Sequence, residues 1–85
     1  MSKQIPLSQG MFATVDDADY DWLARNKWSY DPKGYAMRRS ANVTIYMHRV
    51  VLNASGPVVV DHVNGDGLDN RRENLRIVTT AQNNY

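Results

Sequence analysis

Four polar residues in the last third of the chain have the types and the spacing of a hydrolytic site. Asp61 and His62 are adjacent, and Asn74 follows His62 by twelve positions. Asn83 follows Asn74 by nine positions. An imidazole titrates near neutral pH and can move a proton, whereas carboxylate and amide oxygens suit a hard divalent cation. Each residue alone is explained equally well by a turn, a cap or a helix surface, so the joint spacing is what favours a site.

The segment that must position these side chains reads as strand, long loop, strand and helix. PVVVDHV predicts a buried strand, NGDGLDNRREN is rich in turn formers, and LRIVT alternates as a second strand. Thr79 or Thr80 then caps a helix that has barely begun when the sequence stops. Because Asp61 and His62 are neighbours in a strand, their side chains are expected to point to opposite faces.

The string VDHVNGDGLDNRRENLRIVTTAQNN resembles the HNH nucleases, in particular the His-Asn-Asn branch of phage and intron-encoded homing endonucleases. The matching residues are Asp61-His62, Asn74 directly before Leu75, and Asn83. Upstream, YMHRVVL resembles the MHR-type segment that precedes this hairpin in many phage members. The resemblance implies a ββα-metal hairpin and the hydrolysis of DNA phosphodiester bonds.

The resemblance also assigns a role to each matching residue. His62 would be the general base that activates water, and Asn74, the second residue of the catalytic set, would bond to backbone across the loop and fix the orientation of His62. Asp61 and Asn83 would hold one divalent ion, Mg²⁺ or alternatively Mn²⁺, with positions left open for water and phosphate. The products would carry a 5′-phosphate and a 3′-hydroxyl.

The charge pattern adds a modest indication of a polyanionic partner. Four of the nine acids lie within the six residues from Asp16 to Asp21, and outside that segment ten bases face five acids, a balance of +5. A solvated basic face explains this charge equally well. Predicted contacts to double-stranded DNA are the arginines near the site and one upstream pair: Arg71, Arg72, Arg76, Arg38 and Arg39. Arg49 could reach a phosphate or pair with an acid.

The upstream part of the chain predicts short strands and one helix. MFATV reads as a strand, and a helix capped by Asp16 or Asp17 should bury Ala18, Trp22 and Leu23 along one side. Further predicted elements are a hairpin of residues 27–30 and 35–39 around the turn DPKG, a strand over 44–47, and a segment 48–52 that either continues this strand or begins a short helix. His48 is expected to pack near the later hairpin, and Trp28, Tyr30 and Tyr35 are expected to form core or cross-strand pairs in preference to stacking on bases.

These elements define an α+β fold in one domain, residues 1–85. A small antiparallel N-terminal sheet with one helix (1–53) is followed by a ββα-metal (HNH) hairpin with a truncated final helix (58–85). A helix over residues 80–85 has fewer than two turns and needs tertiary support, which a second copy in a homodimer could supply.

Composition excludes several other classes. The chain has no cysteine and only two histidines, so a disulfide scaffold and a closed structural zinc site are excluded. No apolar run approaches the roughly 20 residues of a membrane span, and the first residues lack a signal-peptide core. We therefore expect a cytoplasmic protein, and the resemblance implies a bacterial or phage-infected cell.

A calcium loop is a competing interpretation of the same segment. Counted from His62, the residues Asn64, Asp66, Gly67 and Glu73 fall at EF-hand positions. His62 replaces the first Asp of that motif, and the flanks read as strands where an EF-hand has helices. This interpretation predicts a helix on each side of the loop.

Two function classes follow from the sequence. The first is a metal-dependent endonuclease that nicks double-stranded DNA with low sequence specificity, because so small a chain offers little surface for reading bases. The second is a non-catalytic module derived from the HNH fold that engages nucleic acid or another nuclease. A purely structural role is a third alternative.

Overall fold

The computed structural model describes residues 2–54, 56 and 58–79. Their regular elements, in chain order, are β1 (Ser2–Pro6), β2 (Phe12–Asp16), α1 (Asp17–Leu23), β3 (Ser29–Asp31), β4 (Tyr35–Ser40), β5 (Val43–Tyr46), α2 (Met47–Val51), β6 (Val58–His62) and β7 (Leu75–Thr79). Single 3₁₀ turns occupy Ser8–Gly10 and Arg72–Asn74. None of the helices in this described part is long and apolar enough to cross a membrane.

The first unit is the β1–β2 hairpin followed directly by α1. The two strands pair antiparallel from Ser2 opposite Asp16 to Pro6 opposite Phe12. The predicted strand MFATV and the predicted helix are confirmed, and β1 is an additional strand. Two acids in the first turn of α1, Asp17 and Asp19, suit the positive end of the helix dipole.

The buried face of α1 differs from the predicted one. As predicted, Leu23 is buried and Trp22 packs half-buried against the core, but Ala18 is exposed and Asp19 is buried. Asp19 turns inward because its carboxylate is held by the Arg72 guanidinium at 2.9 Å. A charged residue, Asp19, therefore lies on the buried side of α1, where hydrophobic periodicity predicted Ala18.

A three-stranded antiparallel sheet in the order β3–β4–β5 forms the middle of the chain. The predicted turn at residues 31–34 is confirmed by a hydrogen bond from the Gly34 N–H to the Asp31 carbonyl, 2.7 Å. After β5 the chain begins the short helix α2 at Met47, which decides the open alternative for this segment in favour of a helix. The N-terminal part thus contains two small sheets and two helices, where the sequence predicted one sheet and one helix.

The last described unit is the β6–β7 hairpin, with Val58 opposite Thr79 and His62 opposite Leu75. Its two strands and the long connecting loop are confirmed. Because strands flank the loop on both sides, the EF-hand interpretation is wrong. The predicted final helix at residues 80–85 lies outside the described residues.

The buried apolar side chains form a core to which every unit contributes. Val15 and Leu23 come from the first unit and Met47 from α2, and all three are fully buried. Val60 and Leu75 of the β6–β7 hairpin complete the cluster. Coarsely, the α+β class with antiparallel sheets is confirmed, and the core ties the last hairpin to the N-terminal units.

Candidate functional site

The end of β6 places Asp61 and His62 at the mouth of one groove. In the antiparallel ladder Asp61 lies opposite Arg76 and His62 opposite Leu75. The alternation of the strand leaves Asp61 half-exposed and buries His62, which is 9% exposed. Both residues nevertheless line a groove of about 520 Å³, which also includes Lys33 and Asp66. The strand therefore places two neighbouring residues, one with a carboxylate and one with an imidazole, along the same groove.

The His62 ring is held by one hydrogen bond and by ring packing. Its Nε2 lies 3.0 Å from the Oδ1 of Asn70, which has no exposed surface. The ring of His48 packs edge-on at 4.9 Å between centroids, and the ring of Tyr35 lies at 5.8 Å. His48 thus packs near the hairpin, as the sequence predicted.

Asn74 closes the loop between β6 and β7. Its Oδ1 accepts the Asn64 backbone N–H at 3.0 Å, and its Nδ2 donates to the Asp69 carbonyl at 2.9 Å. The Val63 N–H also donates to the Asn74 carbonyl at 2.8 Å. Asn74 therefore contacts backbone across the loop, while the side chain that contacts the imidazole is Asn70. Nothing in the sequence separated Asn70 from the other turn formers of this loop.

The loop is also fixed to the N-terminal unit. The Thr14 N–H donates to the Leu68 carbonyl at 2.8 Å, and the Asn70 N–H donates to the Thr14 carbonyl at 2.7 Å. A side chain at Gly67 would overlap the carbonyl oxygen of Gly34 in the β3–β4 turn, so glycine permits the close approach of the two segments there. The first hairpin and the β3–β4 turn together set the shape of the groove.

Asp61 is paired with Arg76 through only one of its carboxylate oxygens. Its Oδ2 accepts a hydrogen bond from Arg76 Nε at 3.0 Å and forms an ion pair with Arg76 Nη2 at 2.8 Å. Across the described residues, its Oδ1 accepts no hydrogen bond, which leaves one hard oxygen donor for a cation. Within this same part of the chain, no three His, Cys, Asp or Glu side chains form a group that could hold a metal. The other predicted ligand, Asn83, lies outside the described residues.

The arginines predicted to contact phosphate near the site are paired with acids. Arg71 Nε lies 2.7 Å from Asp69 and Arg71 Nη1 lies 3.1 Å from Glu73, while Arg72 pairs with Asp19. Hydrogen bonds from Arg71 hold the pKa of the Asp69 carboxyl below its ordinary value. Among the described residues, Arg71 is the arginine of this group whose guanidinium contacts two acids.

The upstream arginines have different surroundings. The Arg38 guanidinium lies over the Trp28 ring at 5.7 Å, and Arg39 is exposed on β4. Arg49 donates to the carbonyls of Val58 and Gly56 at 2.8 and 3.2 Å. Arg49 thus ties α2 to the start of β6, and no acid in the described part of the chain pairs with it.

His48, the buried ring that packs against His62, has a pKa displaced from its ordinary value. Burial among the rings of Tyr35, Tyr46 and His62 lowers the pKa of His48 to about 4, with smaller contributions from the charges of His62 and Arg49. The neutral ring is therefore the stable form in the fold at neutral pH.

This displacement predicts a pH-dependent stability. Above the ordinary imidazole pKa, His48 is neutral in both the folded and the unfolded chain. In that range the lowered pKa therefore does not reduce the free energy of unfolding. As the pH falls from about 7.5 to about 5, the unfolded chain binds a proton that the folded chain does not, and the free energy of unfolding should decrease by about 2 kcal/mol. Urea titrations across this range should show the slope in wild type and a smaller one in His48→Phe. An identical slope in both proteins would contradict the assignment to His48.

Comparison with known proteins gives a match to one protein family. A family model described as HNH endonuclease matches residues 46–85. This segment contains α2, β6, the loop and β7, and thus the whole groove-lining end of the last hairpin. The resemblance to the HNH endonuclease family is confirmed over this part of the chain, and it indicates a nuclease-type domain. No curated protein and no solved structure gives a significant match.

Proposed function

We propose that the protein is a metal-dependent HNH-type endonuclease that nicks double-stranded DNA with low sequence specificity. The observation that carries this proposal is the placement of Asp61 and His62 side by side in one groove, inside the segment that matches the family. A general base and an oxygen ligand for a hard cation are the two groups that phosphodiester hydrolysis requires.

His62 is the base in this proposal. The imidazole takes a proton from water, the water oxygen bonds to phosphorus, and the bond from phosphorus to the 3′ oxygen breaks. The 3′ oxygen leaves with a proton from solvent, so the products are a 5′-phosphate and a 3′-hydroxyl. Burial of His62 and its bond to Asn70 hold the ring in one orientation for this step.

Asp61 suits the cation side of the site. A carboxylate oxygen with no hydrogen bond from the described residues is the kind of donor that Mg²⁺ or Mn²⁺ takes, and by resemblance Asn83 would be the second ligand. The ion, when bound, stabilises the negative charge that develops on the phosphate. Arg76 can keep its contact with the other oxygen of Asp61 and so fix the carboxylate.

The substrate is proposed to enter along the groove from the side of the β3–β4 turn. Lys33 lines the groove there, and Arg39 is exposed further along β4. These cations can contact the phosphate backbone, and a groove of this size offers few contacts to base edges. Low sequence specificity follows from that balance.

The test is relaxation of supercoiled plasmid by the purified protein with Mg²⁺ or Mn²⁺, beside reactions with EDTA. We expect conversion to the open circle with either metal and none with EDTA. Conversion that persists in EDTA would contradict the metal requirement, and intact plasmid with both metals would contradict the endonuclease.

A second candidate is a binding module that has lost cleavage. The observation in its favour is that Arg71, Arg72 and Arg76 are paired with acids, which weakens the positive field beside the groove. Such a module would bind DNA without cleaving it, and its affinity would fall as salt is raised. A gel-shift titration at several salt concentrations, run on the same preparation, separates it from the endonuclease.

The sequence-based expectation of a homodimer belongs to the same proposal. Sedimentation at equilibrium, with and without DNA, would give the mass of the active species. A monomer in both conditions would contradict the homodimer.

A further inference from the structure

We propose that Asn70 is the positioning residue of His62, and that it selects Nδ1 of the ring as the atom that accepts the proton. This inference rests on the proposed endonuclease activity. It starts from the contact between Asn70 Oδ1 and His62 Nε2, 3.0 Å apart in the buried interior beside the groove.

The placement of Asn70 is set by the first hairpin and by neighbouring residues of its own loop. Its backbone N–H donates to the Thr14 carbonyl of β2 at 2.7 Å. The preceding residue, Asp69, is held by the Arg71 guanidinium and by Asn64 Nδ2. Asn70 is itself 0% exposed, so its side-chain amide does not reach bulk water. The backbone of Asn70 is thus held by its neighbours, and its side-chain Oδ1 contacts His62, whereas its buried Nδ2 has no hydrogen-bond partner among the described residues.

The chemistry of the contact determines the tautomer of the ring. A carbonyl oxygen only accepts hydrogen bonds, so Nε2 of His62 must carry the hydrogen that it shares with Asn70 Oδ1. In a neutral imidazole the lone pair then lies on Nδ1. After Nδ1 has taken the proton of water, the bond to Asn70 becomes a charge-assisted one and strengthens. Asn70 therefore favours both the neutral ring with its lone pair on Nδ1 and the protonated ring that forms after proton transfer.

The packing of the ring supports the same orientation. His48 meets His62 edge-on and Tyr35 lies tilted against it, so the ring cannot turn over without displacing the buried His48 or the half-buried Tyr35. Neither of these rings supplies a second hydrogen bond to His62 among the described residues. Asn70 is thus the polar group that determines which ring nitrogen is left to accept the proton of the attacking water.

The first test is the tautomer itself, read from ¹⁵N shifts of His62 in the wild-type protein without DNA, at a pH well above the ordinary imidazole range. We expect Nε2 to carry the hydrogen in wild type and a mixture of tautomers in Asn70→Ala. A wild-type ring that carries its hydrogen on Nδ1 would overturn the proposal. Because this readout needs no cleavage, it decides the role of Asn70 even if the proposed nuclease activity fails.

The second test is kinetic. Asn70→Ala should lower the single-turnover cleavage rate by about 10- to 100-fold with unchanged DNA affinity, as other residues that orient a reactive group do. Asn70→Asp keeps an acceptor oxygen at the same place and should recover most of the rate. Asn26→Ala, which truncates an exposed asparagine, serves as the matched control. A folded Asn70→Ala with the wild-type rate would overturn the proposal, and if that variant does not fold, the wild-type tautomer and the rate of Asn70→Asp decide it.

Discussion

Replacing His62 with alanine should slow single-turnover cleavage of plasmid DNA by about 10²- to 10⁴-fold, the contribution of a positioned general base. The reason is geometric, because His62 is the imidazole that lines the groove together with Asp61. DNA affinity should change little, since the phosphate contacts proposed for Lys33 and Arg39 do not involve His62. The measurement is the rate of relaxation at saturating protein, with affinity measured separately by gel shift.

The control for this variant must separate loss of the base from loss of structure. Val63→Ala truncates the adjacent residue, whose side chain is exposed, and should cleave like wild type. His62→Gln keeps most of the side-chain volume and a hydrogen bond to Asn70, yet it provides no group that titrates near neutral pH. Cleavage by His62→Gln at the wild-type rate would remove His62 from the mechanism.

Replacing Arg72 with alanine should lower the free energy of unfolding by about 3 kcal/mol, because it leaves the carboxylate of Asp19 buried without its cationic partner. The side chain of Asp19 is 4% exposed, and Arg72 contacts it through two nitrogens at 2.9 and 3.0 Å. With the guanidinium gone, the Trp22 indole N–H, at 3.1 Å, is the side-chain donor that Asp19 keeps among the described residues. Urea unfolding at neutral pH measures the difference.

A matched pair in the same hairpin sharpens this prediction. Arg76→Ala removes an arginine whose ion pair with Asp61 is 62% and 44% exposed at its two ends, and an exposed pair contributes less than about 1 kcal/mol. The hydrogen bonds of Arg72 hold the pKa of Asp19 below its ordinary value, so the contribution of that pair is complete above about pH 4 and is lost as the pH falls further. Equal losses for the two variants would contradict the burial argument.

The last hairpin was predictable from sequence because it depends on local chemistry. An apolar run, a cluster of turn formers and an alternating run define β6, the loop and β7 with little influence from the rest of the chain. The opposite exposures of Asp61 and His62 follow from strand alternation alone. The shape of this part of the fold therefore follows from patterns within about twenty residues.

The rest depended on long-range contacts that no local pattern records. Asp19 is buried because Arg72, fifty-three positions later, reaches it. In the same way Asn70 is fixed by Thr14, which belongs to the first hairpin. Hydrophobic periodicity therefore selected Ala18 for the core and gave no reason to separate Asn70 from its neighbours. Ion pairs of this kind also explain why the arginines could not be sorted into phosphate contacts and structural contacts beforehand.

The central claim is hydrolysis of the DNA backbone by water that His62 activates, and the ends of the cut strand test it most directly. Plasmid relaxed by the protein in Mg²⁺ would be purified and treated with DNA ligase, without kinase or phosphatase. Ligase should reseal the nicks, because a 5′-phosphate and a 3′-hydroxyl are its substrates. Nicks that ligase leaves open, or plasmid that is never nicked in Mg²⁺ or Mn²⁺, would contradict it.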